Sequence, residues 1–103
     1  MTPLERDVAR SVVAFLETCG CHVYSLQDRR PRATRNTPGL PDLYVLHRQL
    51  GGFWVELKAP GGKQTVEQVS FQATCGRCGV PYVCGGVAEA MAFLAQRGLV
   101  VTP

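Results

Sequence analysis

Three residues have the types and spacing for phosphoryl chemistry: Asp42, Glu56 and Lys58. Glu56 and Lys58 interrupt the run Phe53-Trp54-Val55-Glu56-Leu57-Lys58-Ala59, which otherwise reads as a β-strand. Side chains alternate along a strand, so Trp54, Glu56 and Lys58 share one face while Val55 and Leu57 point to the other. Like-facing neighbours stand about 7 Å apart, so both head groups bear on one small volume. Asp42 opens the preceding strand, expected over Asp42 to His47. In an antiparallel hairpin Asp42 meets the far end of its neighbour, near Glu56 to Lys58. Two carboxylates and one ammonium then converge.

Two adjacent carboxylates repel as anions, which raises the pKa of one. A divalent cation removes that conflict. Oxygen-only ligation by two carboxylates, a backbone carbonyl and waters suits Mg²⁺ or Mn²⁺. Such an ion polarises a phosphodiester and acidifies a bound water. Lys58 can orient or help deprotonate that water and offset transition-state charge. A bare Glu-x-Lys reads first as a partly exposed ion pair at a sheet edge; it is the wider pattern around it that favours the chemical reading.

The elements that must hold these residues follow from periodicity and turn chemistry. Thr2-Pro3 starts a helix, with Thr2 as N-cap and Glu5 as its capping-box partner. Leu4, Val8, Val12, Phe15 and Leu16 give that helix an apolar face ending near Gly20. His22 to Leu26 is a strand, and residues 27–41 form a long loop of the kind that often carries function. Strands over Asp42–His47 and Phe53–Ala59 flank a Gly51-Gly52 turn, and Pro60-Gly61-Gly62 ends the second. Thr65 caps a helix reaching Cys78, with Val66, Val69 and Ala73 expected inward and Gln68 and Gln72 on a different face. Pro81 to Cys84 is a strand. Val87 to Arg97 is a last helix, with Val87, Met91 and Leu94 inward and Gly98 at its end. The order α-β-β-β-α-β-α describes an α/β domain, a small mixed sheet flanked by helices.

Composition bounds the rest. A length of 103 residues suits one domain over 1–103, and 46% hydrophobic content fits a globular, soluble chain. The net charge is only +3, but Arg29, Arg30, Arg32 and Arg35 cluster within the long loop. They can attract phosphate backbones or form a solvated surface. No run is long and apolar enough for a signal peptide or a membrane span, so a cytoplasmic location is expected. Five cysteines, an odd number, read first as thiols. Cys19-Gly-Cys21 with Cys75-x-x-Cys78 could instead supply four thiolates to zinc, which would make the chain a small zinc-stabilised binding module.

The segment GLPDLYV (Gly39 to Val45) is followed by VELKAPGGKQTVEQ (Val55 to Gln68), with Glu56 fourteen residues after Asp42. This pairing resembles the PD-(D/E)XK nuclease superfamily, Pro41-Asp42 as one half-motif and Glu56-Leu57-Lys58 as the other. The G-x-PD form, the Gly-rich turn after Lys58 and the glutamine on the next helix look like the VRR-NUC (virus-type replication-repair nuclease) family. The resemblance spans nearly the whole chain and implies an αβββαβ core with an added C-terminal helix. It implies an Mg²⁺- or Mn²⁺-dependent endonuclease in phage or bacterial DNA replication, recombination or repair. Asp42, Glu56 and the Leu57 carbonyl match the metal ligands, Lys58 the catalytic lysine, and Gln68 the active-site glutamine. Glu5 matches an N-terminal glutamate that reaches the metal directly or through water, against its reading as a helix cap. Gln72 matches no motif. Lys58, Lys63 and the Arg29–Arg35 loop would track phosphates. Stand-alone members resemble Holliday-junction resolvases, which implies branched DNA as partner and a two-fold homodimer. A non-catalytic DNA-binding or assembly protein on the same fold is the remaining alternative; it predicts a broken catalytic set.

Overall fold

In the computed structural model, which describes residues 3–26 and 37–99, seven elements follow the expected order. They are α1 (Pro3–Thr18), β1 (His22–Ser25), β2 (Leu43–His47), β3 (Gly51–Leu57), α2 (Val66–Cys78), β4 (Tyr82–Gly85) and α3 (Val87–Gln96). One four-stranded sheet runs in the order β1-β2-β3-β4. β1, β2 and β3 pair antiparallel, and β4 joins β3 in parallel after the α2 crossover. Thr2 and the cluster Arg29, Arg30, Arg32 and Arg35 lie outside the described residues.

Alternation along β3 gives the sheet two unlike faces. Phe53, Val55 and Leu57 pack with Leu43, Val45 and Val83 beneath Val12 and Leu16 of α1 and Ala90 and Leu94 of α3. Phe53 stacks on Phe93 with ring centroids 4.8 Å apart. On α3 it is Ala90 and Leu94 that are buried, with Val87 partly so. The other face carries Trp54, whose ring lies 4.7 Å from Tyr44 and 5.3 Å from Phe71 of α2. Trp54 and Tyr44 thus pack against each other, and Trp54 against α2, on this face.

Two expectations are corrected. Gly51 and Gly52 belong to β3, opposite His47 and Leu46, and the turn is made by residues 48–50. Buried His47 holds that turn, its Nδ1 accepting the N–H groups of Gln49 at 3.1 Å and Leu50 at 3.4 Å. The two glycines serve different needs: Gly51 has φ +76°, and a Cβ on Gly52 would collide with the Tyr44 hydroxyl. Second, Val66 and Val69 are 82% and 51% exposed, and Ala73 is exposed. The inward face of α2 is instead Gln68, Phe71 and Cys75. The aromatic layer offers α2 only a narrow seat, so its valines are not drawn inward.

Candidate active site

Asp42 sits one residue before β2, and continuing the pair Leu43↔Val55 puts it opposite Glu56. Its main-chain carbonyl accepts Leu26 N–H at 2.8 Å, and its Oδ2 accepts Leu57 N–H at 2.8 Å. The carboxylate is thus tied to the end of β3 by a charge-assisted bond. N–H and C=O of one strand residue face the same edge, so the Leu57 carbonyl turns toward Asp42 as well.

Glu56 is 2% exposed. Its Oε2 accepts from Gln68 Nε2 at 2.7 Å and lies 3.5 Å from Lys58 Nζ. Its Oε1 is buried without a hydrogen-bond partner. Burial raises the Glu56 pKa from 4.5 to about 7, the Asp42 charge adds to the rise, and Lys58 opposes it. Protonated, Glu56 could donate from the otherwise unpartnered Oε1 to the Asp42 carboxylate, which adds to the rise.

Gln68 is held from both ends. It is the N3 residue of a capping box: Thr65 Oγ1 accepts Gln68 N–H at 3.1 Å, and Gln68 Oε1 accepts Thr65 N–H at 2.8 Å. With its oxygen committed to the helix start, its amide NH₂ must point at Glu56. The T-x-x-Q spacing of Thr65 and Gln68 carries this signal in the sequence. Gly39 joins the two half-motifs. At φ +88° it lies against the first turn of α2, where a Cβ would stand 2.5 Å from the Glu67 carbonyl oxygen. Gln72 has a structural role, its Oε1 accepting from Gln64 Nε2 at 3.0 Å, which also reaches the Tyr82 hydroxyl at 3.3 Å.

Helix α1 crosses the end of β3 and borders three recesses. Glu5 lines a cleft of about 190 Å³ with Leu57, Lys58 and Lys63. Arg6 and Arg10 line a groove of about 560 Å³ that ends at Asp42 and Leu57. Asp7 and Glu89 flank a cavity of about 700 Å³ on the far side of Lys58. Sequence reasoning missed Arg6 and Arg10, because only the helix's position over β3 brings them to Asp42.

The chain matches no family model, no curated protein and no solved structure.

Among the described residues, no three His, Cys, Asp or Glu side chains form a group able to hold a metal. Glu5 is therefore not grouped with Asp42 and Glu56 as a third direct ligand; it lines the neighbouring cleft with Leu57 and Lys58. The four-thiolate arrangement fails too: Cys19 and Cys21 pack at the α1 side of the sheet and Cys75 and Cys78 lie on α2, against the other face. All five thiols are free, and burial pushes Cys21 up to about 11. The donors available to a cation are the Asp42 and Glu56 carboxylates and the Leu57 carbonyl. They fit Mg²⁺ or Mn²⁺ in type, all oxygen, leaving positions for water. The unpartnered Glu56 Oε1 beside a second carboxylate is what such an ion would satisfy. No helix of the described residues is long and apolar enough to cross a membrane.

Proposed function

We propose that the chain is a metal-dependent endodeoxyribonuclease of the PD-(D/E)XK type, VRR-NUC-like, acting on branched DNA such as Holliday junctions or flaps. The observation that carries this reading is Glu56: a buried carboxylate with one oxygen unpartnered, next to Asp42 and bracketed by Lys58 and Gln68. Pure structure does not require this; a buried unsatisfied carboxylate lowers stability, and an isosteric amide would relieve it.

Asp42, Glu56 and the Leu57 carbonyl would hold Mg²⁺ or Mn²⁺. When bound, the ion supplies Lewis acidity toward a phosphodiester and a lowered pKa for water. Gln68 keeps Glu56 oriented with Oε1 toward the cation position. Leu57 N–H holds the Asp42 carboxylate still. Lys58, 3.5 Å from Glu56, orients the attacking water and offsets negative charge building on the phosphoryl oxygens. Water oxygen bonds to phosphorus, the bond to the leaving sugar oxygen breaks, and the water proton passes to solvent. Alternation, hairpin register and α2 capping support the reading because all three act to bring these groups together. The non-catalytic alternative expects a broken set, whereas Asp42, Glu56 and Lys58 are all present. By resemblance the working form is a two-fold homodimer, which would set two sites against two strands.

The test is a cleavage panel of junction, flap and linear DNAs with Mg²⁺ or Mn²⁺. Wild type should cut a branched substrate only with the cation, and Asp42→Ala or Lys58→Ala should abolish cutting while the fold persists. Cleavage surviving Asp42→Ala would sink the assignment.

A further inference from the structure

We infer that Arg6 and Arg10 of α1 form a phosphate-binding track that leads the DNA strand into the site from the Asp42 side; this rests on the nuclease reading above. Both arginines are exposed and, with Glu17, line the groove of about 560 Å³ whose wall also includes Asp42 and Leu57. Neither guanidinium has an ion pair or hydrogen bond among the described residues, where the recorded ion pair is Lys58 with Glu56.

Helix stability does not account for them. Like charges four apart on a helix repel. Cations near a helix N-terminus oppose the macrodipole, and Arg6 lies close to it. The last turn of α1, where a cation would help, carries none. An arrangement unfavourable to the helix on two counts is explained by an anion held between the two forks. A guanidinium matches phosphate bidentately. A backbone lying in this groove would set one phosphate on Arg6 and Arg10 and a neighbouring one at the Asp42–Glu56 pair.

The cavity of about 700 Å³ on the other side is lined by Asp7 and Glu89 as well as Lys58, and Glu89 Oε1 already accepts Gly86 N–H at 2.7 Å. Of the two recesses the groove is the one that carries guanidinium groups, and the strand path follows them. The groove holds room for a nucleotide-sized segment.

The test is binding of a labelled short DNA duplex by fluorescence anisotropy over a salt series, with cleavage kinetics on junction and flap substrates beside it. Arg6→Gln/Arg10→Gln is compared with Arg48→Gln/Arg77→Gln, which removes equal charge at the far hairpin turn and on α2. Each lost phosphate contact lowers the slope of log K against log salt by about 0.7–0.9. The α1 double variant should therefore lose about 1.4–1.8 in slope, bind more weakly at low salt, and raise KM more than it lowers kcat. A slope and affinity matching the Arg48/Arg77 control would overturn the track. If the slope falls as expected but wild type cuts nothing with Mg²⁺ or Mn²⁺, the track stands and the nuclease reading fails. If wild type cuts and the α1 variant behaves as the control, only the track fails. No DNA binding by wild type would overturn both.

Discussion

Phe53 and Val55 on one face of β3 are 1% exposed, and Glu56 on the other is 2% exposed. Equal burial has opposite consequences on the two sides. The apolar pair lies among Val12, Leu16, Ala90 and Leu94, where removal of hydrocarbon from water stabilises by about 25 cal/mol per Å². Glu56 lies where Gln68 and Lys58 satisfy one oxygen and nothing among the described residues satisfies the other. One face of the strand holds the fold together. The other keeps a destabilised charge in place, as sites that bind and react commonly do. Depth alone does not reveal which role a residue has; partner chemistry does.

The largest effect should come from breaking the apolar face. Phe53→Ala is expected to cost about 3–5 kcal/mol, transfer plus cavity, read as a lower urea midpoint. Metal-dependent cleavage per folded molecule should change little. The opposite pattern is expected on the other face. Asp42→Ala should lower cleavage at least about a hundredfold, or about 2.7 kcal/mol of barrier. Its melting temperature should fall only modestly, by the loss of the bond to Leu57 N–H. A variant that unfolds instead would erase the distinction between the faces.

Glu56→Gln sharpens the comparison. The folded-state pKa of about 7 exceeds the ordinary 4.5, so between those values the native chain holds a proton the unfolded chain has lost. Stability of the metal-free protein should therefore fall as pH rises from about 4.5 through about 7, and level off above. The amide removes that titration, and its NH₂ can face Asp42 where Oε1 now stands. Glu56→Gln should thus be more stable than wild type at pH 8 in chelator, by about 1–3 kcal/mol, and nearly equal at pH 5. Thermal melts at the two pH values check this; equal stability at both would remove the claim of an uncompensated charge. A smaller effect is expected at Gln68. Gln68→Ala keeps Thr65 as the cap but loses the reciprocal bond from Thr65 N–H, about 1 kcal/mol, and slows cleavage. Gln68→Glu keeps an acceptor for Thr65 N–H but sets a second carboxylate against buried Glu56, so in chelator at pH 8 it should melt below the alanine variant and cleave as poorly.

The two faces of β3 differ also in how far they could be read from sequence. Period-two alternation separates Val55 and Leu57 from Glu56 and Lys58 without any structure, and the hairpin argument brings Asp42 opposite Glu56. Gly51 and Gly52 look like turn residues in the sequence, whereas in β3 one supplies a positive φ and the other makes way for the Tyr44 ring, a contact across strands. The apolar spacing of Val66, Val69 and Ala73 misleads because α2 rests on the sheet through Phe71 and Cys75, leaving its valines outside. The contact of Gly39 with Glu67 and the approach of Arg6 and Arg10 to Asp42 join distant segments, and no local pattern encodes them. Thr65 is legible as the cap of α2, while the box it forms with Gln68, which aims Gln68 at the site, comes from the structure.

The most direct measurement is Mn²⁺ binding by titration calorimetry at pH 8 to wild type, Asp42→Ala and Glu56→Gln. A single wild-type site is expected, weakened strongly in both variants. Wild-type affinity should decline as pH drops through about 7, where Glu56 takes up its proton and ligation must release it. Binding that is absent in wild type, or unchanged by either substitution, would contradict this site.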